Sequence, residues 1–551
     1  MNLDISQLGY RWKGVYSQYL SYSDNDVVYS NGGAYVIRNG ALAPFALGQQ
    51  DAALKGQILA GGGGVKGVGN MVLHSNGDSI EFRFQDTRNG TLATALGDSY
   101  NPGGYYQNYY GMHAIMHDGS VRSWGYQDNG FGGSGDLGDT GKTFPTRVAF
   151  PPGTPRIVKI RYCWDHTYYI DAEGGFWHSG AENQNMSCVG AQCNLPTKIN
   201  GYGDIAADTK IVDVNTGTDW FSNRQGFAID DQGRVYGFGL NNYDSQGITG
   251  TSPYPRLIPF TVDTPIAKVF ASGCNYAGSA FISREGQLWV AGHIDFAMGM
   301  AQTPHHQFAP WGLDKPVKEV VYHESDDHDA ANGTQYYRSM LILLENGDLY
   351  GYGHQGNQVT HNWGIGANHH AFYDTVTPNR TVPLKILTGV KQASTINGGY
   401  ARILALMNDG TVQGTGYDGF GQIGGGGNTG TWRQVSPGIL ENGVALKFFG
   451  ARYGGAAYVL RDDGTVVGWG RNQYGVRGTG TDADGAATGP ALLDKTVVDF
   501  QISGQCYDST SNQTLHMLTS DGQVYASGSG NYSVNGDDDS EPAYVPRQIL
   551  F

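Results

Sequence analysis

The chain has 551 residues, 85 of them glycine, with 35 Tyr, 21 Phe and 10 Trp, only 15% charged residues and a formal net charge of −15. Glycine is about twice its usual ~7% but follows no every-third-residue period, which excludes collagen. The sparse charge excludes long ion-paired surface helices, the absence of any basic run excludes broad phosphate-backbone binding, and no stretch reaches the ~18 apolar residues of a membrane span. Neither nucleic acid nor membrane insertion is therefore expected.

At the start, Met1-Asn2-Leu3-Asp4 lacks the charged and apolar regions of a signal peptide, so the chain is expected to be made in a cytoplasm and to be soluble. Residues 1–55 read as a small β-module. Trp12, Tyr16, Tyr19 and Tyr22 lead into Asp26-Val27-Val28-Tyr29 and Gly33-Ala34-Tyr35-Val36. These offer three short strands, with aromatics too dense for a core of that size. Exposed aromatics stack on sugars or pack on a partner, which makes Trp12, Tyr16 and Tyr22 binding candidates; the module's own core is the competing use. The pattern resembles the carbohydrate-binding-like module that recurs in bacteriophage tail-fibre and virion proteins. Residues 56–64, with Gly61 to Gly64, read as a flexible joint.

Next comes a tyrosine-rich loop, Tyr105-Tyr106-Gln107-Asn108-Tyr109-Tyr110. Tyrosine gives large contact area at low entropy cost, so these four are further recognition candidates; edge residues of a sheet are the alternative. From there a hairpin recurs, as in Asp118-Gly119 leading to Trp124-Gly125 and Asp463-Gly464 leading to Trp469-Gly470. Its marking glycines are Gly119, Gly174, Gly233, Gly286, Gly347, Gly410, Gly464 and Gly522, at intervals of 53 to 63 residues. Such a period means copies of one supersecondary unit. Each unit is read as a proline-led strand (Pro196-Thr197-Lys198-Ile199), an aliphatic-charged strand (Ile211-Val212-Asp213-Val214), and the hairpin, taken as a two-residue turn with positive φ at its centre. Four short strands make an antiparallel blade, and radial packing of blades buries both faces.

The fold expected is all-β: a closed β-propeller of 7–8 four-stranded blades over residues 65–551, preceded by the β-module. Ser75-Asn76-Gly77-Asp78 is a degenerate further hairpin that leaves seven or eight blades open. The chain ends in a proline-led strand, Val545 to Phe551, while Val65-Lys66-Gly67 has the look of a second strand without a first. The expected ring is thus latched by its C-terminal strand. The repeats resemble the regulator of chromosome condensation family, with Asp-Gly, Trp-Gly and a later Asn-x-x-Gly-x-x-Gly kept at Asp463 to Gly478 and partly at Asn129 to Gly132 and Asp418 to Gly424. The resemblance implies that family's propeller, usually seven-bladed.

The densest group of ligand-type side chains is Tyr322 to Asp329, where His323, Asp326, Asp327 and His328 are weak metal candidates in a long insertion. A solvated polar loop is the plainer reading, and no cofactor is expected. Cys188 and Cys193 have no second ligand pair at finger spacing, so the five cysteines read as reduced thiols. No Ser-His-Asp pattern, phosphate loop or paired catalytic carboxylates is present, so no enzyme is expected. Taken with the front module, the reading is a virion structural protein: tail fibre, receptor-binding or decoration protein. It would be assembled into the particle as a homo-oligomer, contacting other virion proteins and a host surface glycan or protein. The rival readings are a guanine-nucleotide exchange or signalling propeller, and a glycan-binding or glycan-cleaving adhesin.

Overall fold

The computed structural model describes residues 11–15, 26–30, 33–38, 41–44, 46–47, 65–67, 69–75, 80–83, 92–98, 111–126, 130–135, 142–163, 165–182, 185–218, 224–241, 244–271, 278–292, 305–311, 313–329, 333–353, 383–395, 402–425, 427–451, 454–507, 510–531, 534–536 and 541–551. The chain divides into two compact units, Met1–Leu92 and Ala93–Phe551. In the first, Arg11–Val15, Asp26–Ser30, Gly33–Arg38 and Ala41–Pro44 form one sheet, the first two strands parallel and the other pairs antiparallel. Gly69–Ser75 and Ile80–Arg83 form a hairpin beside Val65–Gly67 in a second sheet.

The described strands of the second unit fall into eight sheets in chain order, which settles the blade number at eight. The inner strands are Ala93–Leu96, Ile157–Cys163, Ile211–Thr218, Ile266–Ala271, Val317–Asp329, Val390–Thr395, Gly443–Ala451 and Val497–Tyr507. Each is followed by a second, third and outer strand; in blade 7 the isolated bridges Val467 to Pro490 and Gly470 to Gly485 stand where the outer strand would be. The proline-led segments are the outer strands, such as Cys193–Lys198 and Ala543–Ile549. Proline there removes a donor from an exposed edge, which blunts pairing with another sheet.

Middle strands are buried on both faces, so their sequences run apolar without alternation. Ile403 and Ala405 enter the cluster with Leu341 and Leu343 of blade 5, while Leu404 and Leu406 enter the one with Leu446 and Trp469 of blade 7. Each of the eight junctions has a cluster of this kind. The last joins Leu518, Val524, Ala526 and Ile549 of blade 8 to Met112, Ala114 and Trp124 of blade 1, and closes the ring.

Two expectations change. Ala543–Ile549 pairs with Val524–Gly528 of its own blade, and Val65–Gly67 pairs within the first unit, so closure is not by an exchanged strand. Side chains and single hydrogen bonds do it: Trp124 Nε1 donates to Val534 O at 2.9 Å, and Phe551 packs edge-on against Trp124 at 5.5 Å. The boundary also falls at residues 92/93 rather than 64/65.

The repeated turn differs as well. The N–H of Gly119 donates to Met116 O, and Met116 N–H to Ser120 O, with φ positive at Gly119 but not at Asp118. This is a three-residue loop, a type I turn closed by a left-handed glycine. The same glycine stitches blades together, because its carbonyl accepts the first N–H of the next inner strand. Ile211 to Gly174, Ile266 to Gly233, Val390 to Gly347 and, across the closure, Ala93 to Gly522 are bonds of this kind, at 2.7–2.9 Å. A Cβ on Gly233 would lie 2.8 Å from Ile266 N, so the seam is tight.

Candidate recognition site at the axial rim

At the same place on every inner strand the ladder slips by one residue. A β-bulge leaves its extra residue unpaired and turns it away from the ladder. Around the ring these residues are Thr94, Val158, Val212, Ala267, Lys318, Lys391, Val444 and Val498. In blade 2 the burial order is therefore broken: Ile157 and Ile160 are core, Val158 is exposed and Lys159 half-buried.

Because inner strands of adjacent blades lie side by side, the bulges form a continuous rim. Lys159 Nζ donates to the bulge carbonyl of Val212 at 3.0 Å, Lys268 Nζ to that of Lys318 at 2.8 Å, and Lys318 Nζ to that of Lys391 at 2.6 Å. Side-chain amides add further ties: Asn215 Oδ1 accepts from Ala271 N–H at 3.1 Å and Gln392 Oε1 from Leu446 N–H at 2.9 Å.

The rim is chemically lopsided. On blades 7, 8, 2 and 3 the bulge residues are valines, 39%, 52%, 51% and 47% exposed, with exposed Thr94 between them. Basic groups on that side are neutralised: Lys159 by Asp213 at 2.9 Å, Arg161 by Asp98 at 3.2 Å, and Lys447 by Asp499 at 3.6 Å. On blades 4 to 6 stand Lys268, Lys318 and Lys391, and among the described residues no carboxylate is within 4.0 Å of their ammonium groups. An ammonium has three donors, so the single carbonyl bond of Lys318 leaves two for a ligand.

Other polar groups are locked in structure. Between blades 2 and 3, Arg224 bonds Asp165, Asp165 lies 3.2 Å from His166 Nε2, and His166 Nδ1 lies 3.0 Å from His178 Nε2. Burial, helped by His166, holds His178 well below the usual histidine range. Burial also pushes the adjacent Cys163 thiol up to about 12, so it stays protonated and is no nucleophile. A cleft of about 470 Å³ beside Trp177 and Lys198 is lined by committed groups: Asp171 accepts from Gly175 N–H and Trp177 Nε1, and Asn200 donates to Thr209 O.

Of the residues expected from sequence, Trp12 lies in the strand Arg11–Val15, opposite Val27. Tyr16, Tyr22, Tyr105, Tyr106, Tyr109 and Tyr110 lie outside the described residues. His323, Asp326, Asp327 and His328 are not in a loop: they continue the inner strand Val317–Asp329, paired in register with Gly333–Leu344. Extending the ladder satisfies their backbone groups, which a long loop would not. Among the described residues no group of three or more His, Cys, Asp or Glu side chains is placed to hold a metal ion. Sequence reading missed the rim: the recurring aliphatic pairs Ile157-Val158, Ile211-Val212 and Val497-Val498 mark its place in the repeat, but only the strand pairing shows that the second residue of each is turned outward.

No family model matches the chain. It is 31% identical over 153 residues to the probable E3 ubiquitin-protein ligase HERC4 of Homo sapiens, covering 28% of this chain and 14% of that protein. Over 369 residues it is 25% identical to human E3 ubiquitin-protein ligase HERC2, covering 65% of this chain and 7% of that one. The chain thus spans 7% to 14% of the length of these curated relatives. Among solved structures, human WBSCR16 aligns with a TM-score of 0.47 at 16% identity, over 73% of this chain and 99% of its own. Prp20p of Saccharomyces cerevisiae, described with its binding to Gsp1p and histones, aligns with a TM-score of 0.47 at 15% identity, over 70% and 89%. This chain is an eight-bladed β-propeller built of repeats like those of the regulator of chromosome condensation.

Proposed function

We propose that the chain is a non-enzymatic recognition propeller of the exchange or signalling type, which docks a protein partner on the axial rim, a small GTPase being the first class to test. The observation that carries this reading is the arc of exposed valines on the bulges of blades 7, 8, 2 and 3, interrupted by Thr94 of blade 1, an apolar surface presented at one place around the ring. Repeat similarity to the HERC proteins supports a signalling role over the virion role expected from sequence. The ligase activity in those names belongs to much longer proteins and is not carried over. The test is release of fluorescent nucleotide from a panel of purified small GTPases. Accelerated release that is lost on Val158→Asp/Val498→Asp is expected, and no acceleration across the panel would sink the exchange reading.

A second reading keeps the virion role: a structural or receptor-binding protein whose N-terminal module attaches it and whose propeller faces outward. The separate compact unit Met1–Leu92 favours it, because an independent β unit ahead of a ring suits attachment. Trp12, Tyr16 and Tyr22 remain its proposed contacts, with a glycan or a neighbouring virion protein as partner. Mass spectrometry of purified particles tests it, and absence of the chain from them would reject it.

A further inference from the structure

We infer that the axial rim takes a protein segment presenting an aliphatic side chain beside a carboxylate, and this rests on the recognition reading above. The aliphatic group packs against the valine arc of blades 7, 8, 2 and 3, and the carboxylate faces Lys268, Lys318 and Lys391 of blades 4 to 6. Two observations choose this occupant. The chain carries a net charge of −15, so three neighbouring lysines with no carboxylate partner among the described residues are a local exception to its overall field. Where a basic group of the inner strands stands beside the valines, at Lys159, Arg161 and Lys447, an aspartate neutralises it. The two halves thus differ, one apolar with its charges paired, the other carrying three lysines beside a single carboxylate among the described residues, the half-buried Glu319.

A nucleic-acid strand would leave the valines uncovered and needs a longer basic track than three lysines. A purely apolar segment would leave the lysines to lose water without compensation. A mixed segment satisfies both halves: removal of valine surface from water supplies affinity, and the carboxylate fixes which way round the segment lies.

The test is fluorescence anisotropy of the full chain with a short dye-labelled peptide of alternating aspartate and valine. Controls replace every aspartate by lysine, or every valine by serine. Two rim variants are compared, Lys318→Glu/Lys391→Glu and Val158→Asp/Val498→Asp, each checked for an unchanged melting temperature. The expected result is binding of the Asp/Val peptide alone, weakened about tenfold or more by either variant, with the lysine peptide gaining affinity for the Glu variant. Equal binding of the serine control would overturn the inference in favour of a simple anion site, as would displacement of the peptide by inorganic phosphate. Peptide binding indifferent to both variants would place the contact elsewhere and overturn it too. If nucleotide release still depends on the valines while the peptide preference fails, the segment chemistry is wrong and the recognition reading stands.

Discussion

Lowering the pH from 7.5 to 5.0 should remove much of the stability of the ring, through histidines that the fold holds neutral. His113, His178 and His516 are fully buried on second or third strands. Burial drives His113 down to about 3 and His516 to about 4, against backbone bonds that partly oppose it, and His178 goes well below the usual range. In the unfolded chain each titrates near its ordinary value of about 6.5. Above that pH neither state is protonated and the stability is fully present. As pH falls, the unfolded chain takes up protons that the folded one refuses, so stability declines. At pH 5 this amounts to about 2 kcal/mol each for His113 and His516, or about 4 kcal/mol for the pair, a large part of the stability of many domains, and His178 acts in the same direction. The depressed carboxylates Asp118, Asp409 and Asp463 act in a different window, below their ordinary value near 3.8. Urea denaturation of wild type and His516→Gln at both pH values isolates one contribution, since glutamine keeps a donor for Val534 O but does not titrate. The variant should lose about 2 kcal/mol less than wild type between the two pH values. Equal losses, or an NMR titration of His516 near 6.5 in the folded protein, would refute the reasoning.

Closure predicts that Trp124→Phe, which removes one of the two donors to the buried carbonyl of Val534 and leaves His516 as the other, costs about 0.5–1.5 kcal/mol, and that Ile549→Ala costs about 2–5 kcal/mol. Deleting 543–551 should lower the melting temperature of the whole ring, and unchanged melting would count against side-chain closure. Two glycines with the same backbone strain separate turn from seam. Gly153→Ala, at φ +84° with open space around it, should cost about 1–2 kcal/mol, and Gly233→Ala, at φ +85° against Ile266 N, clearly more; equal costs in urea titrations would show that the seam yields. The raised thiols of Cys163 and Cys188 should resist a disulfide reagent at pH 8 until urea unfolds the ring, and rapid native labelling of either would contradict their burial.

Much of this architecture is local and was therefore legible in the chain. A glycine after an acidic residue or amide, such as Gly410 or Gly464, satisfies a left-handed turn position wherever it occurs, and an apolar run such as Ile403 to Leu406 needs both faces covered. Eight such hairpins determined an all-β array of blades. Their period could not determine where a blade begins, because a repeat read from its proline-led strand and one read from its aliphatic strand have the same spacing. Only the pairing of Ala543–Ile549 with Val524–Gly528 decided that phase. Nor does a sequence reveal a bulge: by strand alternation Val158 belongs with the core, yet one unpaired residue turns it outward and leaves it half exposed. The rim exists because eight such slips are brought side by side around one axis, and that juxtaposition is set by tertiary packing across hundreds of residues.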